Sequence, residues 1–287
     1  MSYKFIFDTN VLKDDSINKF KEAGIIDACS TGRFSFYATP MLLTERLSFA
    51  DQGKINPKAM SAVQLLFDIK WQRLFNEFGG QEGILTSELE GKCQREFIFR
   101  NHKFIKNALG DFFEGKEFND NAKDIIAADR KRWAMEKENN KNSYKAMWDD
   151  IAQKLKNKKF SKKDSAFDSF IATTFESTAI YKINQSINSK FPKDQIVKFW
   201  LAHKDRCPYF NQFIRGRLFT AWHYMASEQT PAIDINADDD IQHLVYLNGV
   251  DCIVSNESGF MKKACEVLFP GKDYLSTDQF VERLKNV

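Results

Sequence analysis

The chain is poor in the residues that mark thiolate-metal or disulfide proteins. Its five cysteines, Cys29, Cys93, Cys207, Cys252 and Cys265, are scattered with no CxxC pair, and its four histidines fall at no zinc-ligand spacing. A zinc finger and a disulfide scaffold are excluded, and the cysteines read as reduced. No apolar run approaches the length that spans a bilayer. A strand-like run follows Met1-Ser2-Tyr3 directly, with neither a charged leader nor an apolar signal core. The expectation is a soluble, cytoplasmic protein with no membrane partner. Six prolines and thirteen glycines, without repeats or low-complexity tracts, exclude fibrous and disordered classes. Also absent are a Gly-rich phosphate loop, a GxSxG elbow and a Cys/His nucleophile pattern.

What is present is an enzyme-sized chain of 287 residues, 43% apolar and 28% charged, long enough to bury a substantial core. Its 27 phenylalanines predict aromatic packing among helices. The net charge of +3 says little, but its distribution says more. Residues 92–163 carry 19 Lys or Arg against 11 Asp or Glu, whereas residues 231–287 carry ten acids against five bases.

Both ends of the chain alternate strand and helix. Lys4-Phe5-Ile6-Phe7 reads as a buried strand that ends on Asp8. The segment DDSINKFKEAGIIDACSTGRF reads as helical, FSFYATP as a second strand, and the run after Thr39-Pro40 as a second helix. At the far end, PAIDIN leads into the helix ADDDIQHLVYLNGV, followed by the strand DCIVS, a helix, the short strand GKDYLS and a closing helix. Residues 53–230 instead show helical spacing, broken near Gly79-Gly80, Gly110, Gly115 and Pro192, with a lysine-rich hinge over 154–165. The fold class expected is α/β: a parallel sheet built from 1–52 and 231–287, carrying a large α-helical insertion over 53–230.

Asp8 lies where a strand stops and a helix begins, on the rim where open α/β sheets bind ligands. Asp, Thr and Asn are also preferred helix caps, so Asp8 alone reads as a cap. The functional reading gains weight from other acids that reach the same rim. Glu45 sits early in the second helix, Asp238, Asp239 and Asp240 open the late helix, and Glu257 follows the strand DCIVS. Clustered carboxylates raise one another's pKa unless a cation neutralises them. Mg2+ or Mn2+ takes such oxygen ligands, at roughly 2.1 Å for magnesium. Two ions roughly 4 Å apart activate a water and stabilise the leaving oxygen of a phosphodiester.

FDTNVL with Asp8, the helix carrying Glu45, and DIQHLVYLNGVDCIVSNESGF together resemble the PIN-domain nuclease superfamily in its longer, PIN-like form. The resemblance covers roughly residues 1–52 and 231–287. It implies a Rossmann-like sheet and metal-dependent cleavage of RNA or single-stranded nucleic acid, including single-stranded DNA. It further implies that Asp8, Glu45 and Asp240 hold the catalytic metal, with Glu257 and Asp238 completing a second site or binding through water. Spacing back from Gly249 favours Asp238 as the late ligand, and the Asp-x-x-His pattern with His243 favours Asp240; both stay open. Glu257 stands where the family more often has Asp, one methylene shorter.

Around this centre, Asn10 and Asn256 are candidates for holding a carboxylate or a phosphate, and Arg215 and Arg217 for substrate contact. Either arginine also fits a structural ion pair. The basic middle, including Lys103, Lys106, Arg130, Lys131 and Arg132, offers a field that draws a polyanion toward an acidic site. Two other readings use the same residues. One is a nucleic-acid-binding or scaffold protein with a degenerate PIN-like centre; the other is a small-molecule phosphohydrolase capped by the insertion, although no DxDxT signature follows the first strand. The sequence leaves room for a protein partner or a homo-oligomer.

Overall fold

The computed structural model describes residues 2–47, 50–51, 54–55, 57–70, 72–79, 81–92, 98–100, 164–225 and 236–286, with isolated helical positions between 124 and 135. The first strand, β1 (Tyr3–Phe7), runs into a 3-10 turn (Thr9–Val11). Helix α1 (Asp14–Glu22) follows, with Asp14 and Asp15 in its first turn and Lys19 and Lys21 in its last, charges placed to suit the helix dipole. The expected single helix over this stretch is two. Gly24, at φ 78°, takes a left-handed conformation that other residues resist, and α2 (Ile25–Ser30) starts after it.

Strand β2 (Phe34–Ala38) leads to α3 (Pro40–Leu47), where the Thr39 hydroxyl accepts the Leu42 amide at 3.2 Å and Pro40 occupies the first turn. A small antiparallel pair, β3 (Ala50–Asp51) and β4 (Lys54–Ile55), stands apart from the main sheet. Helix α4 (Pro57–Asp68), strand β5 (Arg73–Phe75), helix α5 (Ile84–Leu89) and strand β6 (Phe99–Arg100) follow. Beyond them lie helices α6 (Asp164–Ser186), α7 (Lys193–Ala202), α8 (Pro208–Met225) and α9 (Ala237–Val245). The chain closes with β7 (Cys252–Val254), α10 (Phe260–Leu268), β8 (Asp273–Leu275) and α11 (Thr277–Lys285), the last opened by a Ser276/Gln279 capping box.

The main sheet has the order β6-β5-β2-β1-β7-β8, with every neighbour parallel except the β5/β6 edge pair. Its five parallel strands run outward in both directions from β1, an order compatible with a Rossmann-like fold. Strand side chains alternate between two cores. Phe5, Phe7, Phe34, Phe36, Leu74 and Val254 enter one with α1, α4 and α11, while Ile6, Tyr37, Phe75 and Ile253 enter the other with α5 to α10. Burial on both faces explains why β1 reads as an unbroken apolar run.

One expectation changes. The sheet does not come from 1–52 and 231–287 alone, because β5 and β6 lie within 53–230. These strands have three and two residues, too short to show a period, and they are held by pairing to β2 and to each other. Aromatic packing joins helices as expected, with Phe167 against Phe219 and Trp200 against Phe210, and it extends into the sheet. Phe5, Phe7, Phe34 and Phe36 of the strands meet Phe20 and Phe280, with ring centroids 4.9 to 6.3 Å apart. The described helices of the middle region, α6 to α8, share one core with Ile6 and Ile253.

Most of the basic stretch 92–163, including Lys103, Lys106, Arg130 and Arg132, lies outside the described residues, as do residues 231–235 of the segment PAIDIN. Among the described residues no helix is long and apolar enough to cross a membrane. Cys29, Cys207, Cys252 and Cys265 are buried and form no disulfide.

Candidate active site

Asp8 is the first residue beyond β1. Its amide donates to the Val254 carbonyl at 3.0 Å, carrying the β1/β7 pairing one step past the strand end. That step brings the two turns side by side at the point where strand order reverses, the crevice in which open α/β sheets hold ligands. Two turns far apart in sequence therefore share one rim.

Asp8 is only 8% exposed. Its Oδ2 accepts the Ser255 hydroxyl at 2.7 Å and the Asn10 side-chain amide, and its Oδ1 takes a longer bond from Thr9 Oγ1 at 3.4 Å. Asn10 Nδ2 also reaches Ser255 Oγ at 3.0 Å, and Asn10 Oδ1 accepts the Asn256 amide at 2.9 Å. Asn10 thus ties the turn after β1 to the turn after β7. Asn256 turns its own Oδ1 the other way, accepting the Thr277 amide at 2.9 Å at the start of α11. Both asparagines hold the frame of the site.

On the other side of Asp8 lies His243, 3% exposed. Its Nε2 is 3.1 Å from Thr39 Oγ1, and its Nδ1 is 3.9 Å from Asp8 Oδ1. Thr39 Oγ1 also accepts the Leu42 amide, so one hydroxyl joins the start of α3 to the imidazole. The cap of α3, the late helix and the carboxylate are thereby linked. Glu45 is half-buried on α3, which packs against the turn Thr9–Val11.

Glu257 enters from the β7 side. Its amide donates to Ser255 Oγ at 3.2 Å, its carboxylate Oε1 accepts the Met261 amide at 2.9 Å in the first turn of α10, and its carbonyl accepts the Tyr274 hydroxyl at 2.9 Å. Tyr274 reports on the whole crevice. Burial pushes its phenol up; a Ser255 hydrogen bond acts in the opposite sense, and the charges of Glu257, Asp8 and Asp240 push it up again. Three of the candidate acids act on one hydroxyl.

Asp238 and Asp240 separate in space. Both lie in the first turn of α9, but residues two apart on a helix leave it on nearly opposite sides. Asp240 acts on Tyr274, whereas Asp238 stands 3.9 Å from Arg217 Nε and accepts Gln242 Nε2 at 3.3 Å. Arg215 lies half-buried on α8, its Nε without a hydrogen-bond partner.

The candidate acids Asp8, Asp240 and Glu257 offer carboxylate oxygens, the ligand type that magnesium or manganese takes. As they lie, no three His, Cys, Asp or Glu side chains among the described residues form a group that could hold a metal ion. Asp8 is satisfied instead by hydroxyl and amide donors.

Sequence reasoning did not single out Tyr274, Thr39 or the hub role of Ser255. Glu88 also went unmarked: it is 3% exposed, and its two carboxylate oxygens accept the Tyr209 and Phe210 amides at 3.1 and 2.8 Å. It caps α8 and stands apart from the crevice contacts described above. No protein-family model, curated protein or solved structure matches this chain.

Proposed function

We propose that the protein is a metal-dependent nuclease hydrolysing phosphodiester bonds in RNA or single-stranded nucleic acid, as its resemblance to PIN-like nucleases implies. The observation that carries this reading is the meeting of Asp8 with the Ser255–Glu257 turn at the strand-order reversal, with Asp240 acting on the same Tyr274 hydroxyl. Asp8, Asp240 and Glu257 are the residues to hold Mg2+ or Mn2+, with Glu45 on the neighbouring helix as a further ligand. The metal, when bound, supplies activation of water and neutralisation of the leaving oxygen.

The chain's own residues prepare that chemistry. Ser255 and Asn10 fix one oxygen of Asp8, which sets the direction of the other. His243 joins Asp8 to the start of α3, with Nδ1 3.9 Å from Asp8 Oδ1 and Nε2 3.1 Å from Thr39 Oγ1. Tyr274 holds the peptide that carries Glu257. The deciding experiment is cleavage of labelled RNA and single-stranded DNA with Mg2+, with Mn2+ and with EDTA, using wild type, Asp8→Asn and Asp240→Asn. Metal-dependent products that both variants lose support the assignment; equal turnover in either variant removes it.

A second reading has its own observation. Glu257 already caps α10, and no ready-made metal group stands among the described residues. That suits a protein that binds nucleic acid through a PIN-like shell without cutting it. Binding without cleavage in every metal would favour it.

A further inference from the structure

On the opposite side of α9 from Asp240, three charged side chains gather at one phenyl ring. Lys182 of α6 places Nζ 5.5 Å from the Phe213 centroid, and Arg217 of α8 places its guanidinium carbon 5.5 Å from the same centroid. Asp238 of α9 stands 3.9 Å from Arg217 Nε. Arg217 faces the Asp238 carboxylate, which Gln242 also engages. Among the described residues, no hydrogen-bond acceptor holds the Lys182 ammonium; what acts on it is the Phe213 ring and the charges of Arg217 and Asp238.

Within this arrangement the Lys182 ammonium is the incompletely matched charge. Burial and the neighbouring guanidinium push Lys182 down to about 8, and Asp238 offsets only part of that. A bound anion would relieve both the burial of an unbonded ammonium and its repulsion by Arg217. Solvent reaches the cluster, since the side chains of Arg217 and Asp238 keep 22% and 12% exposure.

We propose that Lys182 and Arg217 form a subsite for one backbone phosphate of a single-stranded polynucleotide, on the Asp238 side of α9. The subsite rests on the nuclease reading for its ligand but not for its chemistry. It holds the strand in register, and Asp238 keeps Arg217 oriented while the strand is away.

The test uses the full chain in EDTA, so that binding is read without cleavage. A fluorescent single-stranded RNA or DNA oligonucleotide is titrated against wild type and Lys182→Met over a range of salt. The variant should bind more weakly, and the slope of log affinity against log salt should fall by about 0.7, the loss of one phosphate contact on a single strand. Where Lys182→Met does not fold, the wild-type protein gives the answer by acylation of its lysines, read by mass spectrometry. Oligonucleotide should slow labelling of Lys182 several-fold and leave the exposed Lys198 unchanged. Binding with an unaltered salt slope and no protection of Lys182 overturns the subsite and leaves the nuclease reading standing. Protection of Lys182 in a protein that cuts nothing keeps the subsite and sinks the nuclease. No binding at all sinks both.

Discussion

Ser255 Oγ donates to Asp8 Oδ2 at 2.7 Å across 247 residues of chain. Both partners are buried, at 1% and 8% exposure, so the bond replaces water that neither group can reach freely. The same hydroxyl oxygen accepts from Asn10 and from the Glu257 amide. Ser255→Ala should therefore destabilise the fold by about 1–3 kcal/mol, the usual penalty for leaving a buried polar partner unmet. Denaturant midpoints at fixed pH measure it. A loss below about 0.5 kcal/mol would mean that water substitutes for the hydroxyl and the two turns are not held by this bond.

Asp238 and Asp240 should behave differently, because α9 sends them to different neighbours. Asp240→Asn should abolish metal-dependent cleavage. Asp238→Asn should leave the metal dependence intact and weaken strand binding, since Arg217 loses the carboxylate 3.9 Å from its Nε. Comparing kcat and KM for the two variants separates them: kcat should collapse for the first and KM should rise for the second. Equal kcat losses would place both acids in one site.

The sequence exposed the rim because strand ends and helix starts leave strong local marks. Phe5-Ile6-Phe7 is apolar on both faces, and Asp8 is the first polar residue after it, so the position of the acid is legible before any fold is known. The α3 start was legible for a similar reason, with Thr39 as cap and Pro40 after it. What stayed hidden depends on pairing at long range. Strand β5 is defined by its register with Tyr37 and Ala38, and three residues carry no readable alternation. Tyr274 looks like an ordinary strand aromatic until β8 is laid beside β7 and the phenol comes to the Glu257 carbonyl. The different surroundings of Asp238 and Asp240 depend on which neighbours α9 meets, and local spacing holds no information about α6 and α8.

Gly216 of α8 lies directly against Ile241 of α9. A methyl group there would overlap the Ile241 side chain, so Gly216→Ala should destabilise by about 1–3 kcal/mol through overpacking, despite the better helix propensity of alanine. Pairing it with Ile241→Ala, which removes the overlapping Cγ2, should recover part of the loss, because the two changes share one space. Thermal unfolding of the single and double variants measures the coupling. Strict additivity would mean that the helices shift apart and the contact does not set their spacing.

Glu88 gives the fold a pH dependence unrelated to catalysis. Burial pushes its carboxyl up to about 7 from an ordinary 4.5, and the Phe210 and Tyr209 amides offset only part of that. The folded state thus keeps a proton between pH 4.5 and 7 that the unfolded chain has released. Where the native state binds more protons, stability falls as pH rises. The contribution is fully present below pH 4.5, declines through the window and is lost above about 7, with a total on the order of 3 kcal/mol. Glu88→Gln should flatten that decline, since a neutral amide has no proton to lose. Denaturant midpoints for both proteins at pH 4.5 and pH 7 read the difference directly. If the variant's stability falls with pH as steeply as the wild type's, the dependence belongs to another group and Glu88 is already ionised in the fold.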